Sequence, residues 1–278
     1  MRMILVSLLW LFLAAPPLPD ASSALAGIAH VALRVNDVPK TREFYRTLGF
    51  EQAFEFADPG KPLVSYIKIN DRQFIELYGR AEDSQPTGLL HVCYEASDIE
   101  KLWNEYIQRG LNPPSPRKAR AGNLLFLFRD PEEQLLEFTQ YLPGSLHFAD
   151  RGAHLGARRI SEHLVRAVIT VKDVNAERLF YTSKLAFQEI APNGTTRLRL
   201  PGDSRDEVAL EVTTAATKPS LVFTVTDLAG AAKELRSRGI AVRAGDDAIS
   251  VCDPDGAVLE FVVDKNELEA TARRVQVP

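Results

Sequence analysis

Cysteine is scarce in this 278-residue chain, which has only Cys93 and Cys252. Two thiols exclude a disulfide framework and a cysteine-based zinc site. The chain has no dense run of Lys or Arg, and its formal charge is −4. That balance argues against nucleic acid as a partner. No stretch beyond residue 15 is long and apolar enough to span a membrane. Residues 27 onwards therefore read as lying in water, with no stable membrane insertion.

The rest of the composition is that of a folded globular chain, 45% hydrophobic and 25% charged. Its length allows one or two domains with real cores. The first 26 residues read as a signal peptide. Arg2 supplies a short positive region, residues 4–15 an apolar run, and Ala24-Leu25-Ala26 a small-x-small cleavage site. The expectation is export to a periplasm or to the medium.

The stretch GIAHVALRVNDVPKTREFYRTLGF, from residue 27, reads as a strand, a turn and a helix. Strand alternation puts His30 and Arg34 on one face and Val31, Leu33 and Val35 on the other. Asn36 and Asp37 are helix caps, Phe44, Tyr45 and Leu48 recur at helical spacing, and Gly49 ends the helix. FEQAFEF, LVSYIKI and QFIELYG follow as three strands. The same pattern returns from residue 88, where a strand carries His91, Ser97 or Asp98 caps IEKLWNEYIQRG, and QLLEFTQ closes the module. It returns again in LVRAVITVKDVNAERLFYTSKLAF and in SLVFTVTDLAGAAKELRSRGI. Asp173 matches Asp37, Asp227 matches Asp98, and DPDGAVLEF matches DPEEQLLEF. Four tandem βαβββ modules follow, an α+β organisation. The expected division is a domain at 27–143, a linker at 144–162, a second domain at 163–264 and a tail at 265–278. The linker carries Gly, Arg and His without periodicity, and its His147 and His154, like His163 just after it, read as solvated. The modules can pair in chain order or swap across a homodimer.

Aligning the modules singles out His30, Glu76, His91 and Glu137. Each is ionisable within an otherwise apolar strand, and burying a lone carboxylate is costly unless it is paired or metal-bound. Two neutral imidazoles and two carboxylates balance one divalent cation and leave open positions for a substrate. Ni, Zn, Mn and Fe all accept this donor set. Arg34 and Tyr78 lie on the same faces as candidate substrate-binding groups, and Cys93 points into the same cup, where it reads as packing. The second half has Arg166, Glu211, Ser220 and Glu260 at the matching places, with Arg166 expected to pair with Glu211 or Glu260. That half reads as metal-free and degenerate.

The chain resembles the vicinal oxygen chelate superfamily, which groups glyoxalase I, extradiol dioxygenases, methylmalonyl-CoA epimerase, and fosfomycin and bleomycin resistance proteins. The resemblance rests on HVALRVNDVPKTREFYRTLGF, FIELYG, LLHVCYEASDIEKLWNEYIQRG and DPEEQLLEF. It implies that each pair of modules forms an eight-stranded cup around a metal, so four modules make two cups. The donor set is similar to that of glyoxalase I, where a glutamate ligand moves a proton on a small substrate. That implies a lyase or isomerase with Glu137, or alternatively Glu76, as the base. An extradiol ring-cleaving dioxygenase is the alternative, with His30, His91 and Glu137 as its triad and Tyr66, Tyr78 or Tyr94 in support. A non-enzymatic, resistance-type binder of small ligands is a third.

Overall fold

The structure, a computed structural model, describes residues 24–191, 195–214 and 218–264. The expected export segment falls almost wholly in residues 1–23, and the tail at 265–278; both lie outside the described residues. Among the described residues no helix is long and apolar enough to cross a membrane.

In module one, β1 (Leu25–Val35) leads through α1 (Val38–Thr47) to β2 (Glu51–Phe56), β3 (Val64–Lys68) and β4 (Phe74–Gly79). Module two is β5 (Gly88–Ala96), α2 (Ile99–Gln108), the short β6 (Arg117–Lys118), β7 (Leu124–Arg129) and β8 (Leu135–Gln140). A single-turn helix, α3 (Leu146–Ala149), precedes module three, which comprises β9 (Leu164–Val171), α4 (Val174–Ser183), β10 (Gln188–Ala191), β11 (Thr196–Arg199) and β12 (Glu207–Val212). Module four is β13 (Ser220–Val225), α5 (Leu228–Ser237), β14 (Arg243–Ala244), β15 (Ala248–Cys252) and β16 (Val258–Val263). The modules pair in chain order within one chain. One sheet runs β2-β3-β4-β1-β5-β8-β7-β6 and the other β10-β11-β12-β9-β13-β16-β15-β14.

The four long helices start alike because an aspartate side chain caps each one: Asp37, Asp98, Asp173 and Asp227 accept from backbone N–H groups of the first turn. Gly49 ends α1 at φ 88°, and a Cβ there would stand 2.3 Å from the Arg158 carbonyl oxygen, so only glycine fits. The strand begins at Leu25, inside the triplet expected to precede it. Ala24 and Leu25 are buried, and the Ala24 carbonyl accepts from Ser97 N–H.

One face of each sheet carries the helices. These faces merge into one apolar core that joins both domains through residues such as Val31, Leu77, Tyr94, Ile169 and Phe223. The join is crosswise and nearly symmetric. Phe50 of module one meets Phe223 of module four at 5.7 Å between ring centres, and Tyr94 of module two meets Phe187 of module three at 5.5 Å. Polar contacts repeat the pattern. Asp255, in the last turn of the second domain, accepts from Asn36 N–H at 2.8 Å and from the Thr41 hydroxyl at 3.0 Å, at the start of α1. Glu132, in the matching turn of the first domain, accepts from Lys172 and Asp173 N–H at 2.7 and 2.6 Å, at the start of α4. The Gln73 amide completes the join, donating to the Leu164 carbonyl and accepting from Leu164 N–H.

The segment 144–162 is anchored at its start and mostly exposed from 151 to 158, where His154 is exposed as expected. Ser145 caps α3, and His147 is buried against Tyr141, Phe54, Tyr66 and Phe74. Burial pushes its imidazole down to about 3. The fully buried Lys68 ammonium anchors the end of α3, pairing with Asp150 at 2.8 Å and Asp71 at 2.9 Å. The other two histidines have carboxylate partners: His154 with Asp150, and His163 with Asp206 at 2.6 Å.

Candidate metal centre

The opposite faces of the two sheets form the cups. In the first cup, β1 places His30 beside Phe74 of β4 and Cys93 of β5, and β8 adds Glu137 beside Cys93. Two residues along, Ala32 lies between Glu76 of β4 and His91 of β5. The small side chain at position 32 leaves room for its two larger neighbours. Sheet curvature then gathers four side chains from four strands. His30 Nε2 lies 3.1 Å from His91 Nε2, 3.3 Å from Glu76 Oε1 and 3.8 Å from Glu137 Oε1. His91 Nε2 is 3.6 Å from Glu137 Oε2. All four residues are less than a tenth exposed.

Donors held at about 2.1 Å from one ion stand about 3.0 Å apart on an octahedral edge and about 3.4 Å apart on a tetrahedral one. The separations here, 3.1 to 3.8 Å, lie within a few tenths of an ångström of that range, and the donor set fits a divalent cation. His30, Glu76 and His91 each offer one ligand atom within mutual reach, as do His30, Cys93 and Glu137. The protein by itself balances the cluster poorly. Burial holds His30 well below the usual imidazole range, and its neighbours His91 and His147 add to the effect. Burial takes His91 down to about 4. Burial also pushes Glu137 up to about 7 and raises Glu76, the latter with help from the Glu137 charge. A cation among these groups offsets the upward carboxyl shifts, because it favours ionised carboxylates, and it takes the bare imidazole lone pairs that burial already favours.

The two carboxylates are held differently. The Tyr78 hydroxyl donates to Glu76 Oε2 at 3.0 Å, and Tyr66, directly across from Glu76 on β3, adds a second hydroxyl. Among the described residues Glu137 has only the Cys93 thiol as a hydrogen-bond donor, at 3.6 Å from its Oε1. Tyr66 was legible only as one of three tyrosines. Its place opposite Glu76 comes from a hairpin register that the sequence does not display. Tyr94, the third of them, points to the helix side and is packed in the common core.

Arg34 does not join the donors. It lies four residues along β1 from His30, roughly 13 Å, and donates to the Pro86 carbonyl at 3.3 Å. Above the cup, Arg120 reaches across to Asp58 at 2.5 Å and covers the Phe56 ring at 3.9 Å. Cys93 is buried and free, and Cys252 is exposed and free.

The second cup corrects the sequence alignment. Val168, the counterpart of Ala32, pairs with Ala209 on β12, so Ala209 takes the place of Glu76. Glu211 sits two residues further along, at the place of Tyr78. EVALEV carries glutamates four residues apart on one face, and sliding by two keeps the same face inward. Ser220 and Glu260 do take the places of His91 and Glu137. Arg166 pairs with neither expected partner. Its guanidinium donates to Glu207 at 3.1 Å, the residue beside it on β12.

Residues 27–138 match the model of the Glyoxalase/Bleomycin resistance protein/Dioxygenase superfamily, and they form a domain of that superfamily. Solved structures with this architecture span both domains. The Mn(II)-bound glyoxalase from Novosphingobium aromaticivorans superposes with a TM-score of 0.67 at 18% identity, covering 87% of this chain and 83% of that one. The 2,3-dioxygenase LapB from Pseudomonas sp. KL28 gives 0.67 at 15% identity, covering 87% and 93%. A variant of homoprotocatechuate 2,3-dioxygenase from B. fuscum gives 0.66 at 15%, covering 89% and 74%. Identities this low carry the fold and not the activity. Comparison with curated protein sequences gave no match.

Proposed function

We propose that the protein is a metal-dependent enzyme of the glyoxalase type, moving a proton on a small oxygen-chelating molecule in its first cup. The observation that carries this reading is the meeting of His30, Glu76, His91 and Glu137 at 3.1 to 3.8 Å in a buried pocket. A divalent ion held there supplies a Lewis acid for a substrate carbonyl or hydroxyl; the superfamily acts on small molecules, and Mn(II) is the ion of one structural neighbour.

Glu137 is the base in this reading. It is the more exposed of the two carboxylates and has one weak hydrogen-bond donor, so its oxygen is available to take and return a proton. Glu76, fixed by Tyr78, holds its place as a ligand. The aromatic floor of Phe54, Tyr66 and Phe74 excludes water. Export through residues 1–23 belongs to the same proposal, with the cut before Ala24 because Leu25 already lies in a core strand.

Metal analysis of the purified protein tests the site. The expected result is about one equivalent per chain, lost in His30→Ala and in His91→Ala. Unchanged metal in both variants would sink the proposal. Glu137→Gln is expected to abolish turnover. The second reading, extradiol cleavage, is favoured by the His30, His91 and Glu137 triad within the same cluster. Oxygen uptake with catechols that survives Glu76→Gln would decide for it.

A further inference from the structure

We propose that the second cup is a separate binding site for a small zwitterion with an apolar body, of the α-amino acid class. The ligand's carboxylate meets Arg166 and Arg197, and its ammonium meets Glu260 and Glu211. The site is independent of the metal reading of the first cup.

The two cups differ first in space. Phe74, Tyr66, Tyr141 and Cys93 fill the floor of the first, whereas Val168, Ala209 and Val222 make the floor of the second. Above these small residues lies a cavity of about 590 Å³, lined by Arg166, Arg197, Lys218, Glu211, Ser220 and Glu260 among others. That is the size of a small-molecule site, with an apolar base and a few converging polar groups.

The polar groups are incompletely spent. Arg166 Nε, Arg197 Nη2 and Arg199 Nη2 stand 3.1, 2.5 and 3.8 Å from one carboxylate, that of the buried Glu207. Three guanidiniums on one carboxylate leave two positive charges in excess. Arg166 uses only its Nε there, and its two terminal nitrogens make no hydrogen bond among the described residues; nor does Arg197 Nη1. A guanidinium with open terminal nitrogens is shaped for a carboxylate. Glu260, across β13 from Arg166, and Glu211, on β12 between the strands of the two arginines, form no hydrogen bond or ion pair among the described residues, although both line the cavity.

These two sets of charges select the ligand class. Glu211 and Glu260 oppose a simple anion, and the arginines oppose a simple cation. A molecule with both signs satisfies both sets. The spacing suits a compact one. Arg166 and Glu260 flank Val222, with one strand between them, or roughly 10 Å between their backbones. The equivalent positions in the first cup bring His30 and Glu137 to 3.8 Å at their tips, so side chains here converge across that strand. No ion pair closes the gap between Arg166 and Glu260.

Calorimetric titration of the full-length protein with phenylalanine, 3-phenylpropionate and phenethylamine tests this, since the three share a body and differ in charge. Phenylalanine is expected to bind at least about tenfold tighter than either relative. Arg166→Gln and Glu260→Gln are each expected to weaken it by about tenfold or more. Glu260→Gln removes no existing contact, so it keeps the fold. It leaves 3-phenylpropionate binding unchanged or tighter, and it leaves the metal content of the first cup unchanged. Three results would overturn the proposal: no binding of phenylalanine up to roughly 10 mM, 3-phenylpropionate binding as tightly as phenylalanine, or phenylalanine binding that survives Glu260→Gln.

Discussion

The two domains share a topology strand for strand, yet their cups have opposite characters. The first is filled with aromatic rings around two imidazoles and two carboxylates. The second is roomy, floored with valine and alanine, and lined by arginine and glutamate. The helix-side faces have not diverged in this way. Both remain apolar, and both feed one shared core. The difference shows where the constraint on the fold lies. Burial on the helix side and the capped helix starts hold the architecture, and the inward positions are then free to change chemistry.

Exchanging the two donor sets breaks the comparison most sharply. Putting the second cup's residues into the first (His30→Arg, Glu76→Ala, His91→Ser) is expected to drop bound metal below about a tenth of an equivalent by elemental analysis. The reverse exchange (Arg166→His, Ala209→Glu, Ser220→His), with Glu260 already present, is expected to raise the metal from about one equivalent towards two.

A smaller effect concerns Glu137 in the first cup. Burial raises the Glu137 carboxyl from an ordinary 4.5 to about 7 in the metal-free protein. The folded form therefore binds more protons than the unfolded form between those values, and stability falls as pH rises through that window. Glu137→Gln is expected to stabilise the metal-free protein by on the order of 2 kcal/mol at pH 8, fading to nothing below about pH 4.5. Denaturant titrations of chelator-treated protein at both pH values check this.

The smallest expected effect concerns symmetry. Glu132→Ala and Asp255→Ala each remove a carboxylate from the start of a helix in the other domain. Each is expected to cost about 1 kcal/mol, and the two costs should agree. A large inequality in thermal unfolding would show that the crosswise join is symmetric in geometry only.

Much of this architecture was legible in the sequence because repetition amplifies it. Four aspartate caps, a helical apolar stripe after each, and the DPEEQLLEF and DPDGAVLEF endings made the modules visible. Strand alternation put His30, Glu76, His91 and Glu137 on inward faces. What stayed hidden depends on register and on distant contacts. The two glutamates of EVALEV have the same parity, so nothing local says which stands opposite Val168. Arg166 therefore found Glu207. The run 144–162 lacks periodicity because one helical turn cannot show any, and the burial of His147 and Asp150 at its start comes from four aromatic rings and Lys68 elsewhere in the chain. Ala24 and Leu25 also suit a cleavage site, so nothing local starts β1 at Leu25 rather than at Gly27.

The reciprocal turns at Glu132 and Asp255 bear on how the gene can be rearranged. Each half carries the clasp for the other, so the peptide between them is not what keeps the halves together. Two separately expressed fragments, divided near Gly152, are positioned to find each other and rebuild the whole. Either fragment alone would present a bare greasy flank to the solvent.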